Sequence, residues 1–168
     1  MSLTAQALVA ELQEEAATTR RVLERVPEDQ FSWRPHDKSM TLGQLALHIA
    51  NIPGSIARLS ALDGVDTSAL KFEAPHATTH DELLRAFDAS VASAATFLNG
   101  LDETTASAPW TMRAGEREVF SVPRIGLMRR LAFNHWYHHR GQLTVYLRLI
   151  GVNVPVVYGR SADENPFA

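Results

Sequence analysis

Between Thr4 and Val26 the apolar residues Leu8, Leu12, Ala16, Val22 and Val26 recur at mainly helical intervals among charged positions, which predicts an amphipathic helix ended by Pro27. The segment from Pro27 to Met40 holds two prolines, Phe31 and Trp33, and reads as an ordered loop pinned by its aromatics. Thr41-Leu42-Gly43-Gln44 then has the form of a capping box, with the Thr hydroxyl taking a backbone N–H and the Gln side chain reaching back. A second helix follows, with Leu45, His48, Ile49 and Ile52 on one stripe, a kink expected at Pro53-Gly54, and an end near Leu62. Residues Gly64 to Thr78 are polar and irregular. Thr79-His80-Asp81-Glu82 is a second capping box, opening a third helix through Leu83, Leu84, Phe87, Val91, Ala94 and Leu98 to the stop at Asn99-Gly100. From Leu101 the pattern changes to Thr, Ser and Pro, and Trp110 to Val122, centred on Ala114-Gly115-Glu116 and flanked by β-formers, predicts a short hairpin. Pro123 suits the first turn of a fourth helix, carried by Leu131, His135, His139, Gln142, Tyr146 and Leu149 as far as Gly151. Val152 to Ala168 reads as a tail.

Four amphipathic helices without a repeated strand pattern predict an all-α fold, a four-helix bundle with a short irregular or hairpin insertion before the last helix, because each helix must bury its stripe against the others. At 168 residues and 45% hydrophobic composition the chain is expected to form one domain, 1–168. The connections 64–78 and 101–122 are long for a simple bundle, and long connections tend to carry function. The chain has no cysteine, which excludes disulfides, thiolate metal sites and a cysteine nucleophile, and suits a reducing compartment. A net charge of −3 with scattered Lys and Arg lacks the field that nucleic-acid binding requires. The N-terminal segment does not read as a signal peptide, and no apolar run reaches about 18 residues. A cytoplasmic location, away from membranes, is the expectation.

Candidate chemistry concentrates in the histidines. His135 and His139 stand four apart on one helix face, close enough to hold one ion. A zinc-protease helix has the same interval but carries Glu after the first His, where this chain has Trp136. His48 lies on an apolar stripe of another helix, where an unpaired imidazole would be poorly satisfied. A single His on such a stripe is more often a core residue bonded to a neighbour, and periodicity alone does not put His48 level with the helix-four pair. Spacing also leaves His138 open as a substitute for His139. His36, His76 and His80 fall in loops or a first helical turn and read as solvated. Trp33, Tyr137 and Tyr158 are candidates for lining a pocket, though large aromatics are more often core. Gly141 offers close helix contact, and Gln142 either packs, its expected role, or hydrogen-bonds near the site.

The run Trp33-Arg34-Pro35-His36, the stretch from Thr41 to His48, and the block from Asn134 to Leu143 together resemble the DinB-like (YfiT-like) metalloenzyme family. The likeness spans nearly the whole chain, and its most specific part is the His-x-x-x-His-Arg-Gly-Gln block at His135 to Gln142. It implies up-down-down-up helix order, a homodimer, and one His from helix two with two from helix four binding nickel or zinc. By that resemblance the ligands are His48, His135 and His139, and His138 points elsewhere. The family's relatives include bacillithiol and mycothiol transferases and a maleylpyruvate isomerase.

Three neutral imidazoles would leave a divalent ion with open positions, the arrangement of catalytic rather than closed sites. Such an ion lowers the pKa of a bound water or thiol. The leading expectation is therefore a metal-dependent enzyme, a thiol-dependent S-transferase acting on an electrophilic substrate with a small-molecule thiol. The alternatives are a metal-dependent hydrolase and a non-catalytic metal-binding or stress-response bundle. No carboxylate lies in the two helical motifs, so no general base or other catalytic residue is assigned.

Overall fold

The computed structural model describes residues 1–69 and 75–167. Part of the predicted loop 64–78, and Ala168 of the predicted tail, lie outside the described residues. The elements are α1 (Leu3–Leu23), α2 (Leu42–Ser60), β1 (Gly64–Asp66), α3 (His80–Gly100), α4 (Glu103–Ser107), β2 (Pro109–Ala114), β3 (Arg117–Pro123), α5 (Arg124–Leu127) and α6 (Asn134–Leu149). The segment Met128–Phe133 joins α5 to α6 in a π-helical turn.

The fold is mostly helical but not all-α. A three-stranded sheet in the order β1-β2-β3 accompanies the helices, with β1 parallel and β3 antiparallel to β2. The β2–β3 hairpin matches the expected one, and Gly115 in its turn takes φ 62°, a left-handed conformation natural to glycine. β1 falls where the sequence reads as irregular loop, because three residues are too few to show alternation. It is held by pairing instead: Gly64 stands opposite Thr111 with no room for a side chain, since a Cβ there would come within 2.5 Å of the Thr111 carbonyl oxygen.

Local signals explain how the long helices are placed. Thr41 and Gln44 form the complete capping box of α2. The preceding loop also receives two N–H groups of that first turn, with Leu42 donating to Trp33 C=O at 2.7 Å and Gly43 to Phe31 C=O at 3.0 Å. At α3 the box is half made. Thr79 accepts from the Glu82 N–H, while the Glu82 carboxylate accepts from Thr78. Pro53 lies inside α2, and the Gly54 N–H next to it donates to Ser90 Oγ of α3 at 2.8 Å. A Cβ at Gly54 would come within 2.9 Å of the Ser90 backbone, so glycine sets this close approach of α2 to α3.

The helix ends fix the packing. Ser2, capping α1, donates its N–H to Leu101 C=O at the end of α3, and the His80 ring at the start of α3 sits 3.1 Å from Leu23 C=O at the end of α1. Tyr146 near the end of α6 donates to Met40 C=O before α2, and Ser60 at the end of α2 bonds Met128. Buried Arg124 donates to the Ser60 and Leu62 carbonyls and pairs with Asp63, closing the C-terminus of α2 onto the start of the last helical stretch. Leu8, Leu12, Leu45, Ile49, Leu83, Leu98, Phe133 and Leu143 share one core among the four long helices. No helix among the described residues is long and apolar enough to cross a membrane.

Candidate metal centre

His48 is the fourth residue after Gln44 in α2 and follows that helix's buried stripe of Leu45, Ala46 and Ile49. His135 and His139 leave one face of α6 immediately after the π turn. The structure brings all three rings together: His48 Nε2 lies 3.4 Å from His135 Nε2, which lies 2.8 Å from His139 Nε2. One nitrogen from each lies within 4.8 Å of the others, an arrangement that could hold a metal ion.

Outer bonds orient two of the rings. His139 Nδ1 is 2.6 Å from the Gln142 side-chain oxygen, and an oxygen can only accept, so Nδ1 carries the proton and Nε2 presents its lone pair. The His135 ring donates to the Leu131 carbonyl, which belongs to the π turn. Widened turns of this kind occur often at functional sites, and here the turn also supplies a ring-orienting acceptor. Two proton-free nitrogens facing each other at 2.8 Å repel unless a cation or a shared proton lies between them.

The donor set passes a geometric test. Metal–imidazole bonds of about 2.0–2.1 Å place neighbouring ligand nitrogens about 3.0 Å apart at right angles and about 3.4 Å apart in a tetrahedron. The observed 2.8 and 3.4 Å fall close to that range. Protonation would block ligation, and burial works against it at all three rings. His48 is pushed down to about 4 by burial and then by the neighbouring His139 and His135, and His135 and His139 are lowered too, chiefly by burial. The three rings are therefore neutral at pH 7.

The other candidate residues go elsewhere. His138 is exposed, and only its ring edge meets His139. His36 accepts from the Lys38 N–H and His76 is exposed, as expected, whereas His80 is half-buried against Leu23. Gln142 orients a ring rather than packing, because one helical turn beyond His138 and His139 carries its amide back to the His139 edge. Nothing among the described residues approaches the Gly141 Cβ position within 4 Å, so it mediates no close helix contact. None of the three aromatics lines the histidine cleft. Trp33 packs edge-on to Tyr146, Tyr137 donates to Glu11 at 2.6 Å, and Tyr158 bonds Arg140 and Glu15. Each ring has a polar partner or a neighbouring ring of its own.

What spacing could not show was the cleft itself. A pocket of about 480 Å³ opens beside His48, between α2 and the chain at Pro75, and includes Asn51, Ser55 and Arg58. Those residues repeat along the helix face that carries His48, a signal legible only once that face is known to be open.

A mostly helical fold with a three-histidine cluster between its second and last long helices is the setting in which the comparisons fall. The DinB family model matches residues 1–165, and the chain belongs to the DinB family. It is 24% identical over 160 residues to the uncharacterized protein YrdA of Bacillus subtilis (strain 168), covering 89% of this chain and 85% of YrdA. Crystal structures of two DinB-like proteins share its fold. One from Bacillus cereus ATCC 10987 has TM-score 0.68 and 23% identity, over 91% of this chain and 97% of that one. One from Bacillus subtilis has TM-score 0.68 and 21% identity, over 92% and 99% of the two chains.

Proposed function

We propose that the protein is a divalent-metal-dependent enzyme, a thiol-dependent S-transferase whose ion, nickel or zinc, is held by His48, His135 and His139. The observation that carries the metal reading is the pair of bare Nε2 atoms 2.8 Å apart, with the third 3.4 Å from the nearer one, in rings that burial keeps neutral. A divalent ion supplies the positive charge that lowers the pKa of a thiol placed beside it. The chain has no cysteine, so the thiol comes from a second small molecule. In the transfer the thiol proton passes to solvent, a sulfur–carbon bond forms to the electrophile, and the leaving group departs with its bonding electrons. Among the described residues the cleft beside His48 is lined without a carboxylate, which favours a nucleophile that needs no protein base over hydrolysis through a general base.

The histidines' part is to stay unprotonated and oriented, His139 through Gln142 and His135 through Leu131. Up-down-down-up order of the four long helices belongs to the same reading. It is supported by α1 meeting α3 end to opposite end, α2 meeting α6 likewise, and Glu11 and Thr19 of α1 meeting Arg129 and Arg140 in the same chain direction. Homodimerisation and a cytoplasmic location are part of the proposal as well. Val145 and Leu149, one turn apart on the exposed side of α6, offer apolar surface for a second copy.

Elemental analysis of tag-free protein after reconstitution with nickel or zinc tests the metal reading. Wild type should carry stoichiometric ion, and His48→Ala and His139→Ala should not. Absence of stoichiometric metal from wild type would sink the proposal. A panel of small thiols with an electrophilic acceptor then tests the chemistry, and turnover no faster than with free metal removes the transferase assignment.

A further inference from the structure

The cleft beside His48 has a charge pattern of its own. His48, Asn51, Ser55 and Arg58 follow at i, i+3, i+7 and i+10, so they form one stripe along α2, and all four line the same cleft of about 480 Å³. The turn between Asn51 and Ser55 has its other face buried: Ile52, Pro53 and Gly54 pack inward, and Gly54 is locked to Ser90. The stripe thus stands on a fixed wall. Among the described lining residues Arg58 is the only charged one, and no carboxylate faces it. Its guanidinium is exposed and donates to Ser55 Oγ at 3.0 Å, pairing with no carboxylate among the described residues. Other arginines at the helix interfaces are paired, Arg124 with Asp63, Arg129 with Glu11 and Arg140 with Glu15.

An unpaired guanidinium with an amide and a hydroxyl beside it, in a cleft that also carries His48 of the three-imidazole cluster, is an anion receptor pointed along a substrate groove. We propose that Arg58, with Asn51 and Ser55, binds a carboxylate or phosphate at the end of the ligand remote from the histidines. This inference rests on the metal reading and adds the substrate class to it. Ten residues of helix separate His48 from Arg58, a rise of about 15 Å, and both side chains lean towards the helix N-terminus. The anionic group therefore sits on the order of 10–15 Å from the reacting sulfur or carbon, so the ligand is elongated and acidic rather than a small neutral thiol or haloalkane.

The test is calorimetric titration of nickel-reconstituted protein, its metal content measured first, with two matched pairs of thiols. Glutathione is set against its diethyl ester, and 4′-phosphopantetheine against pantetheine. At least one acidic member should bind tenfold or more tightly than its neutral partner, and the pair that shows the preference identifies the anion as carboxylate or phosphate. Arg58→Gln should erase the preference while leaving metal content and the neutral thiol's affinity unchanged. Arg34→Gln, an exposed cation outside the cleft, should keep it. Equal affinities within both pairs on fully loaded protein overturn the inference and leave the metal reading standing, as does a preference that survives Arg58→Gln or vanishes in Arg34→Gln. A protein that holds no metal overturns both.

Discussion

At His135 and His139 two imidazole nitrogens lie 2.8 Å apart while each ring's other nitrogen is committed, to Leu131 C=O in one case and to Gln142 in the other. That commitment carries a prediction separate from loss of a ligand. Gln142→Leu keeps the three imidazoles but frees the His139 ring, and metal affinity should fall by roughly 10- to 100-fold, measured by chelator competition, with the fold unchanged by circular dichroism. The titration of His48 gives another. Unfolded, it takes up its proton near 6.5; folded, burial and its two neighbours delay uptake to about 4. Its contribution to stability is therefore intact above pH 6.5 and is lost as the pH falls through that window towards 4. The melting temperature of metal-free protein should decline over this range, and His48→Leu, having no proton to take up, should show a shallower decline. Equal slopes would mean that His48 titrates normally. Spacing exposed the His135–His139 pair because both lie on one helix. The height of His48 relative to them depends on how α2 meets α6, which no periodicity within one helix encodes.

At the scale of the element, α2 is fixed by a few residues with different physical roles. Its start is legible as Thr41 and Gln44, since a capping box is local chemistry. Its middle is not: Pro53-Gly54 signals an interruption, yet nothing in the pattern says that Gly54 lies against Ser90 of α3. Gly54→Ala would place a Cβ 2.9 Å from the Ser90 backbone and force the helices apart, a cost of about 1–3 kcal/mol. The melting temperature should drop by roughly 2–12 °C, and because His48 is on the same helix, metal affinity should weaken with it. Ser90→Ala, which removes the hydroxyl that accepts from the Gly54 N–H, should cost about 0.5–1.5 kcal/mol without pushing the helices apart, so metal affinity should hold. The π turn at Met128–Phe133 was equally hidden, because its residues continue the apolar pattern of an ordinary helix. Only the tie of Arg124 to the end of α2 at one side, and of His135 to Leu131 at the other, shows why the extra residue is accommodated there.

Across the whole molecule, the segment after α6, which the sequence marks only as a tail, is a strap over α1 and α6. Arg25 pairs with Glu164 at 2.8 Å, Arg21 donates to Val156 C=O at 3.1 Å, and Val152, Val154 and Val157 pack against the core. Its inner anchor is Arg140, 1% exposed, which pairs with Glu15 at 2.6 Å, donates to Thr19 at 3.0 Å and bonds the Tyr158 hydroxyl, with the Tyr137 and Tyr158 rings against its guanidinium. The Arg of the His-Arg-Gly-Gln block thus faces away from the metal centre and joins α1, α6 and the strap. Arg140→Met leaves the half-buried Glu15 carboxylate without its cation, at a cost of about 3–5 kcal/mol, or roughly 6–20 °C in melting temperature. Metal content should be unaffected, because His139 is oriented by Gln142 and not by Arg140. A cycle with Glu15→Leu separates the two sources of that loss. If the penalty lies in the stranded charge, Arg140→Met with Glu15→Leu should recover at least half of it; if the strap itself has come loose, the double variant should melt no higher than Arg140→Met, and proteolysis should cut first between Val152 and Glu164.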